Sequence, residues 1–392
     1  MRTGTATLPL HYGSTPPWLF ERMTKLAREI TIAIVSEYNS EIMLEKLSNP
    51  FWFQSFGCVL GFDWHSSGLT TTVCGALKEG VRELQKDLNF FVAGGKGRTS
   101  RKTPKEIEFF SQKYSFNSQP LIYASRISCK VDNNALQDGY QLYHHNFFFT
   151  KDGKWTVVQQ GMNTNARLAR RYHWYSERLR CSEGPKDKNL RRTDKRRSCI
   201  VRPLQPSFVN EPHTAICCNQ KGGEVLNLVA QKSAKNRQIS TEISHEKPEK
   251  LVKIVKKLKE SSSVSIHQSD HLLMPKRHLI SVEDLNPKAL ERTFLKIYEK
   301  KAKNFEQLLG TPGVGPKTIR ALSLIAELVW GAKPSYQDPA RYSFAHGGKD
   351  GTPYPVDRKT YDSSIMLLHD AIKKAKIGER GKIEAIKRLR LF

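Results

Sequence analysis

Between residues 132 and 173, outside the Asp152-Gly153 turn, the sequence gathers two carboxylates (Asp132, Asp138), three histidines (His144, His145, His173) and the pair Gln159-Gln160. Polar groups are costly to bury singly, so a cluster of this kind points to a shared task. Carboxylate and imidazole together can hold a divalent ion, and an imidazole can activate water or protonate a leaving oxygen. Two outlying groups extend the set. Glu211-Pro212-His213 places an acid and a histidine at alternate positions, on one face of an extended segment, and Asp63-Trp64-His65 adds another pair. The metal set expected from these residues is Asp138, His145, Glu211 and His213, taking Mg2+ or Mn2+. The catalytic set is Asp138, His144, His145, Gln159, His173 and His65, with a plain core histidine an equal reading for His65. The alternative for the whole cluster is a structural or nucleic-acid-contacting polar network.

The elements that position these side chains follow from the pattern around them. Residues 140–161 alternate aromatic and β-branched positions about Lys151-Asp152-Gly153-Lys154, which predicts a β-hairpin with an Asp-Gly turn. Alternation would send Tyr143 and His145 to one face and His144 to the other. A carboxylate ahead of one strand, with polar groups late in the next, resembles the PD-(D/E)xK nucleases. Asp138 would then be the first acid, Gln159 stands where the second belongs, and the lysine is missing. Residues 163–180 read as a basic helix presenting Arg170 and Arg171 to nucleic acid.

Elsewhere the periodicity predicts one long helix from Pro17 through Leu47 and others over about 72–88 and 103–114. Thr103-Pro104-Lys105-Glu106 reads as N-cap, N1 proline and N3 acid. The stretch 94–102, GGKGRTSRK, reads as a basic loop, 181–203 as a basic inserted loop and 231–248 as a polar linker. Beyond it helices are expected over 249–260, 287–303, 304–309, 316–330, 360–375 and 379–390. The fold class is α+β: a catalytic domain over 1–230 with a hairpin-containing sheet, and a helical domain over 249–392.

Within that second domain Pro312-Gly313-Val314-Gly315-Pro316-Lys317-Thr318 joins two short apolar helices, and residues 304–330 resemble a helix-hairpin-helix DNA-binding motif. Glycines allow close backbone approach, Val314 plugs the turn into its own core, and Pro316 starts a helix whose N-terminus favours a phosphate. Gly313, Val314, Gly315, Lys317 and Thr318 are the expected DNA contacts. The motif is also similar to that of endonuclease-III-type DNA glycosylases, which would give Lys317 a Schiff-base role with Asp357 assisting, although the spacing between them departs from that family.

Composition supports a polyanionic partner. The 392 residues carry 64 Lys and Arg against 38 acids, a formal charge of +26, and such a surplus favours nucleic acid. No run of about 18 apolar residues and no signal peptide is legible, so a membrane partner is not expected and a cytoplasmic location is. Seven scattered cysteines without a C-x-x-C pair argue against disulfides or a zinc ribbon. A homodimer is left open.

Finally, RTGTATLPLHYGSTPPWLFERM at 2–23, FWFQSFGCVLGFDWHSSGLTTTVCGALKEG at 51–80, VDNNALQDGYQLYHHNFFF at 131–149, WTVVQQGMN at 155–163, ARRYHWYS at 169–176, NEPHTAI at 210–216 and TPGVGPKTIRALSLIAELVWG at 311–331 together resemble the archaeal and bacterial family called domain of unknown function 763. That resemblance implies kinship over nearly the whole chain and no activity. The favoured expectation is a metal-dependent DNA endonuclease acting in repair. A DNA-binding architectural protein without chemistry and a helix-hairpin-helix glycosylase are the alternatives.

Overall fold

In the computed structural model, which describes residues 10, 15–62, 67–180, 207–217, 224–264, 285–340 and 358–390, the first apolar repeat forms two helices rather than one. Helix α1 (Pro17–Glu37) stops because Asn39 caps α2 (Ser40–Ser48), its side chain accepting from the Ile42 N–H at 2.9 Å. Asn49 repeats the device for α3 (Pro50–Leu60), accepting from the Phe51 and Trp52 N–H groups. Helix α4 (Gly68–Gly80) begins earlier than expected and ends eight residues sooner. Asp63 and His65 lie outside the described residues.

Strand β1 (Phe91–Lys96) and a 3₁₀ turn over 97–102 replace the expected basic loop. Helix α5 (Thr103–Tyr114) has the expected bounds. Its Glu106 does not serve the helix start: it accepts from the Gly94 N–H at 2.8 Å and from Lys78 at 2.7 Å, tying α5 to β1. Helix α6 (Gln119–Lys130), which the sequence reading did not anticipate, runs into a π-helical turn at Val131–Ala135. Then come β2 (Leu136–Gln137), β3 (Gln141–Phe149) and β4 (Trp155–Asn163), the last two being the expected hairpin with Gly153 at φ +82° in its turn.

Residues 163–180 are not a helix. They form β5 (Leu168–Tyr175) and a short α7 (Ser176–Arg180). Arg170 and Arg171 alternate across two faces that are both covered, so period two wins over the basic run that suggested a helix surface. Strands β6 (His213–Cys217) and β7 (Leu226–Asn227) follow. The main sheet is antiparallel throughout, in the order β1-β3-β4-β5-β6, while β2 pairs with β7.

The remaining helices are α8 (Ala234–Ile243), α9 (Pro248–Val264), α10 (Pro287–Lys300), α11 (Phe305–Gly310), α12 (Pro316–Trp330), α13 (Arg358–Lys374) and α14 (Glu379–Arg390). The sheet separates two cores. Phe148 and Val158 face α1–α4, which also receive Leu368 and Leu389 from α13 and α14. Phe147, Val157 and Trp174 face the other way, toward Leu121 of α6, Leu309 of α11 and Leu322 of α12. Residues 231–248, expected to be a linker, hold a 3₁₀ turn and α8. Asn236 of α8 is buried and donates to the carbonyls of Ser323 and Ala332, at 3.1 and 2.6 Å. The fold class is α+β, as expected.

A candidate functional site beside the helical hairpin

Ser125, Cys129 and Asp132 are spaced i, i+4 and i+7, which puts them on one face where α6 enters the π-helical turn. That face meets His145 and Gln159, directly opposed on β3 and β4. Asp132 is fully buried and accepts three times: from Trp174 Nε1 at 2.9 Å, from His213 Nε2 and from Gln159 Nε2. Gln159 Nε2 also donates to the Ser128 carbonyl at 3.2 Å. With its amide nitrogen facing two acceptors, the Gln159 oxygen must face His145, and Nδ1 of His145 lies 2.9 Å from it. Nδ1 therefore carries the proton and donates. The other nitrogen, Nε2, turns its lone pair to Ser125 Oγ, 2.9 Å away, so the serine donates. Burial lowers the His145 pKa to about 4, so the imidazole is neutral near pH 7. Cys129 Sγ lies 3.2 Å from Nδ1 and donates to the Gln159 oxygen at 3.4 Å; burial raises its thiol above the usual range and keeps it protonated.

Asp138 belongs to a different group. It accepts from Arg170 at 2.8 Å, Tyr172 Oη at 2.7 Å and the Tyr140 N–H at 3.1 Å. Arg170 bridges to Asp338 at 2.6 and 3.0 Å, and Arg170 and both carboxylates are buried. Burial, with the Asp138 charge next, holds the Tyr172 hydroxyl well above its ordinary pKa and therefore protonated. Arg170 is thus closed to a phosphate, and Asp138 has a cation already. The expected metal set is not assembled: His145 and His213 are taken up by the serine and Asp132 networks, and Glu211 is exposed, accepting from the Gln231 N–H at 3.5 Å. Among the described residues no group of three or more His, Cys, Asp or Glu side chains is placed to hold a metal ion. Asp138, His145, Glu211 and His213, all among the described residues, do not converge on a Mg2+ or Mn2+ centre.

The other face of the sheet holds a second polar layer. Gln160 donates to Tyr143 Oη and to the Ser67 carbonyl, at 2.5 and 2.9 Å, and accepts from Thr70. A bulge between Leu142 and His144 brings Tyr143 to this side, away from His145. Arg171 is fully buried, donating to His173 Nε2 at 2.9 Å and to Gln54 at 3.2 Å, with its guanidinium 4.7 Å from the Phe53 ring centre. His173 Nδ1 donates to the Leu47 carbonyl at 2.9 Å, since Nε2 must accept from Arg171. Burial and the Arg171 charge push its pKa well below 6.5. Neither Arg171 nor His173 reaches solvent, so both serve the packing of β5 against α2 and α3. His144, opposite Gln160, is 1% exposed with both ring nitrogens lacking a hydrogen-bond partner among the described residues, and burial lowers its pKa to about 3.

A cleft of about 710 Å³ opens where α6, the 97–102 turn and the start of β3 meet the α11–α12 turn. Ser125, Cys129, His144 and His145 line it beside Arg101, Arg126 and Lys130, and Val314, Gly315 and Pro316 form the wall from the helical side. The two walls are bonded. Lys130 donates to the Val314 carbonyl at 2.6 Å and Gln137 to that of Pro316 at 2.9 Å. Val314 is buried, as expected, and Gly313 has φ +90°, which favours glycine. Gly315 differs. Its φ of −126° suits any residue and a Cβ there would meet nothing within 4 Å, so the fold itself does not require glycine. Lys317 is exposed, whereas the Thr318 side chain is buried and offers a ligand only backbone.

Gly94 closes the back of the site. A Cβ there would stand 2.2 Å from the His145 carbonyl oxygen, and φ is +95°, so only glycine lets β1 lie against β3 here. Ser125 and Cys129 escape a reading that stops at hairpin ends, and Asp132 stands in that reading as a nearby carboxylate without being placed in the expected site. The i, i+4, i+7 spacing of the three is the signal that finds them, once 119–132 is recognised as helical.

The family described as protein of unknown function (DUF763) matches residues 4–190 and 188–356, and the chain belongs to it. The two matched segments meet inside the basic stretch 181–203, which lies outside the described residues. Comparison with curated proteins and with solved structures finds no match. Among the described residues no helix is long and apolar enough to cross a membrane.

Proposed function

We propose that this protein binds double-stranded or structured DNA along the cleft between the α11–α12 hairpin and the sheet. The single observation that carries this reading is the shared wall: the hairpin turn at Val314–Pro316 and the cations Arg101 and Arg126 line one opening. Gly315 supports it, because a bare position that the fold does not demand leaves the start of α12 open to a phosphate. Lys317 adds an exposed charge, and the overall +26 supplies long-range attraction. Arg170 and Arg171 take no part.

A second reading, cleavage of the bound phosphodiester, is favoured by the two neutral, buried histidines lining the same cleft. In it the protein is a nuclease of the DNA-repair kind, and the chemistry is assigned to this chain's own residues, since the expected metal ligands do not converge.

The test is a salt titration of affinity for a DNA duplex, by fluorescence anisotropy. Each phosphate neutralised should contribute about −0.9 to the slope of log affinity against log salt. Lys317→Glu should weaken binding and flatten that slope by about one contact. A flat dependence for the wild type overturns the reading. Binding without cleavage favours an architectural protein, and a borohydride-trapped adduct at Lys317 favours the glycosylase.

A further inference from the structure

Ser125 sits at the end of a hydrogen-bonded series whose direction is determined at every step. His213 and Trp174 donate to Asp132, Asp132 orients the Gln159 amide, Gln159 holds the Nδ1 proton of His145, and Nε2 accepts from Ser125. Nucleophile, base and orienting group in hydrogen-bond reach of one another form the arrangement that activates a hydroxyl. The base has the required tautomer, and serine and histidine both line the cleft, whose wall carries Arg101 and Arg126. Ser125 and His145 are 2% and 3% exposed, at the buried floor of that cleft.

We propose that Ser125 is a nucleophile, with His145 as its general base and Gln159 and Asp132 as positioning residues, acting on the phosphorus of a phosphodiester bound in the cleft. The identity of the substrate rests on the DNA reading above; the reactivity of Ser125 does not. In the first step the Ser125 oxygen forms a bond to phosphorus as the bond from phosphorus to a sugar oxygen breaks. The hydroxyl proton passes to His145 Nε2 and from there to the departing sugar oxygen. In the second, water attacks phosphorus, gives its proton to Nε2, and the serine–phosphorus bond breaks with return of that proton to Ser125. Arg101 and Arg126 neutralise charge on the phosphoryl oxygens. Asp132 stabilises the transient imidazolium only through the Gln159 amide. Cys129, kept protonated by burial, stays a bystander.

The experiment uses a fluorophosphonate probe on the full chain, which requires neither DNA nor metal, with intact mass and peptide mapping as readouts. The expected result is one adduct per chain, on Ser125, and none in folded Ser125→Ala. His145→Gln should slow labelling by about 100-fold or more, the usual weight of a general base. Gln159→Leu should slow it less and shift its pH profile, which a purely structural role would not do. Ser125→Cys keeps the site should the alanine variant fold poorly; it should exchange fluorophosphonate labelling for alkylation by iodoacetamide at residue 125. An unlabelled wild type after prolonged exposure, an adduct elsewhere, or an unchanged rate in His145→Gln overturns the proposal. Wild-type protein is titrated with duplex DNA in parallel. Labelling without DNA binding keeps the nucleophile and sinks the DNA reading, and DNA binding without labelling does the reverse.

Discussion

Lys130, the last residue of α6, donates its ammonium to the carbonyl of Val314 at the tip of the α11–α12 turn, 2.6 Å away and 184 residues on. This bond sets the hairpin at a fixed position relative to Ser125 and His145, five residues back on the same helix and across from it on β3. Burial lowers the Lys130 pKa from its ordinary value. Lys130→Met should therefore destabilise the protein by about 1.5 kcal/mol, the low end for a charged hydrogen bond, because the ammonium is part-exposed. It should also weaken DNA binding beyond the loss of one charge. Denaturant melts and anisotropy on the same variant check both, and unchanged affinity would show the anchor to be irrelevant to the hairpin's role.

Asp138→Asn distinguishes a structural carboxylate from a metal ligand. Removing one partner of a buried ion pair costs about 3–5 kcal/mol. Here Arg170 retains Asp338, so the loss should fall toward the lower end, about 3 kcal/mol. The Tyr172 hydroxyl keeps an oxygen to donate to. Chemical denaturation should show the loss with no dependence on added Mg2+ or Mn2+. A wild type that gains stability with either ion, and a variant that does not, would restore Asp138 to the metal set.

How far these features are legible in the sequence depends on which physical signal carries them. The β3–β4 hairpin is legible because alternation and an Asp-Gly turn agree. Helices α10 to α12 are legible because their apolar spacing agrees with a start signal at each, Asn286 and Pro287 for α10, Asn304 for α11 and Pro316 for α12. Strand β5 is not, since Arg170-Arg171 looks like a solvated helix face, and only the tertiary partners Asp138, Asp338, Gln54 and His173 explain why two arginines are buried side by side. Asp138 likewise sits in a chemically suggestive place and is chosen for it, while Asp132, six residues earlier, holds the network that reaches His145. Which carboxylate meets a cation is decided by the fold, and no spacing in the sequence encodes it.

The buried histidines make stability depend on pH in a definite direction. His145 and His144 have folded pKa values near 4 and 3 against an ordinary value of 6.5. Between those limits the unfolded chain binds more protons than the folded one, so stability rises with pH there and levels off above about 6.5. Acidification from pH 7 should lower the unfolding free energy progressively through pH 6 and 5 toward pH 4. His144→Asn removes one of these groups and should make the profile less steep. Denaturant midpoints at four pH values measure this, and a variant as pH-sensitive as the wild type would mean that His144 is solvated.

Gly313 and Gly315 separate folding from binding within the hairpin itself. At Gly313, φ +90° is a conformation that side chains avoid, so Gly313→Val should cost about 1–2 kcal/mol of stability and disturb binding indirectly. Gly315 has an ordinary φ and open space around the position of a Cβ, so Gly315→Val should cost less than Gly313→Val, about 0.5–1 kcal/mol, the loss expected from a poor N-cap residue at the start of α12. What the added methyl groups would meet is a phosphate lying against the start of α12. DNA affinity of the folded Gly315→Val protein should drop at least as far as that of Lys317→Glu. Anisotropy titrations beside the melts decide it: a folded variant with full affinity would place the DNA, if bound, somewhere other than this turn.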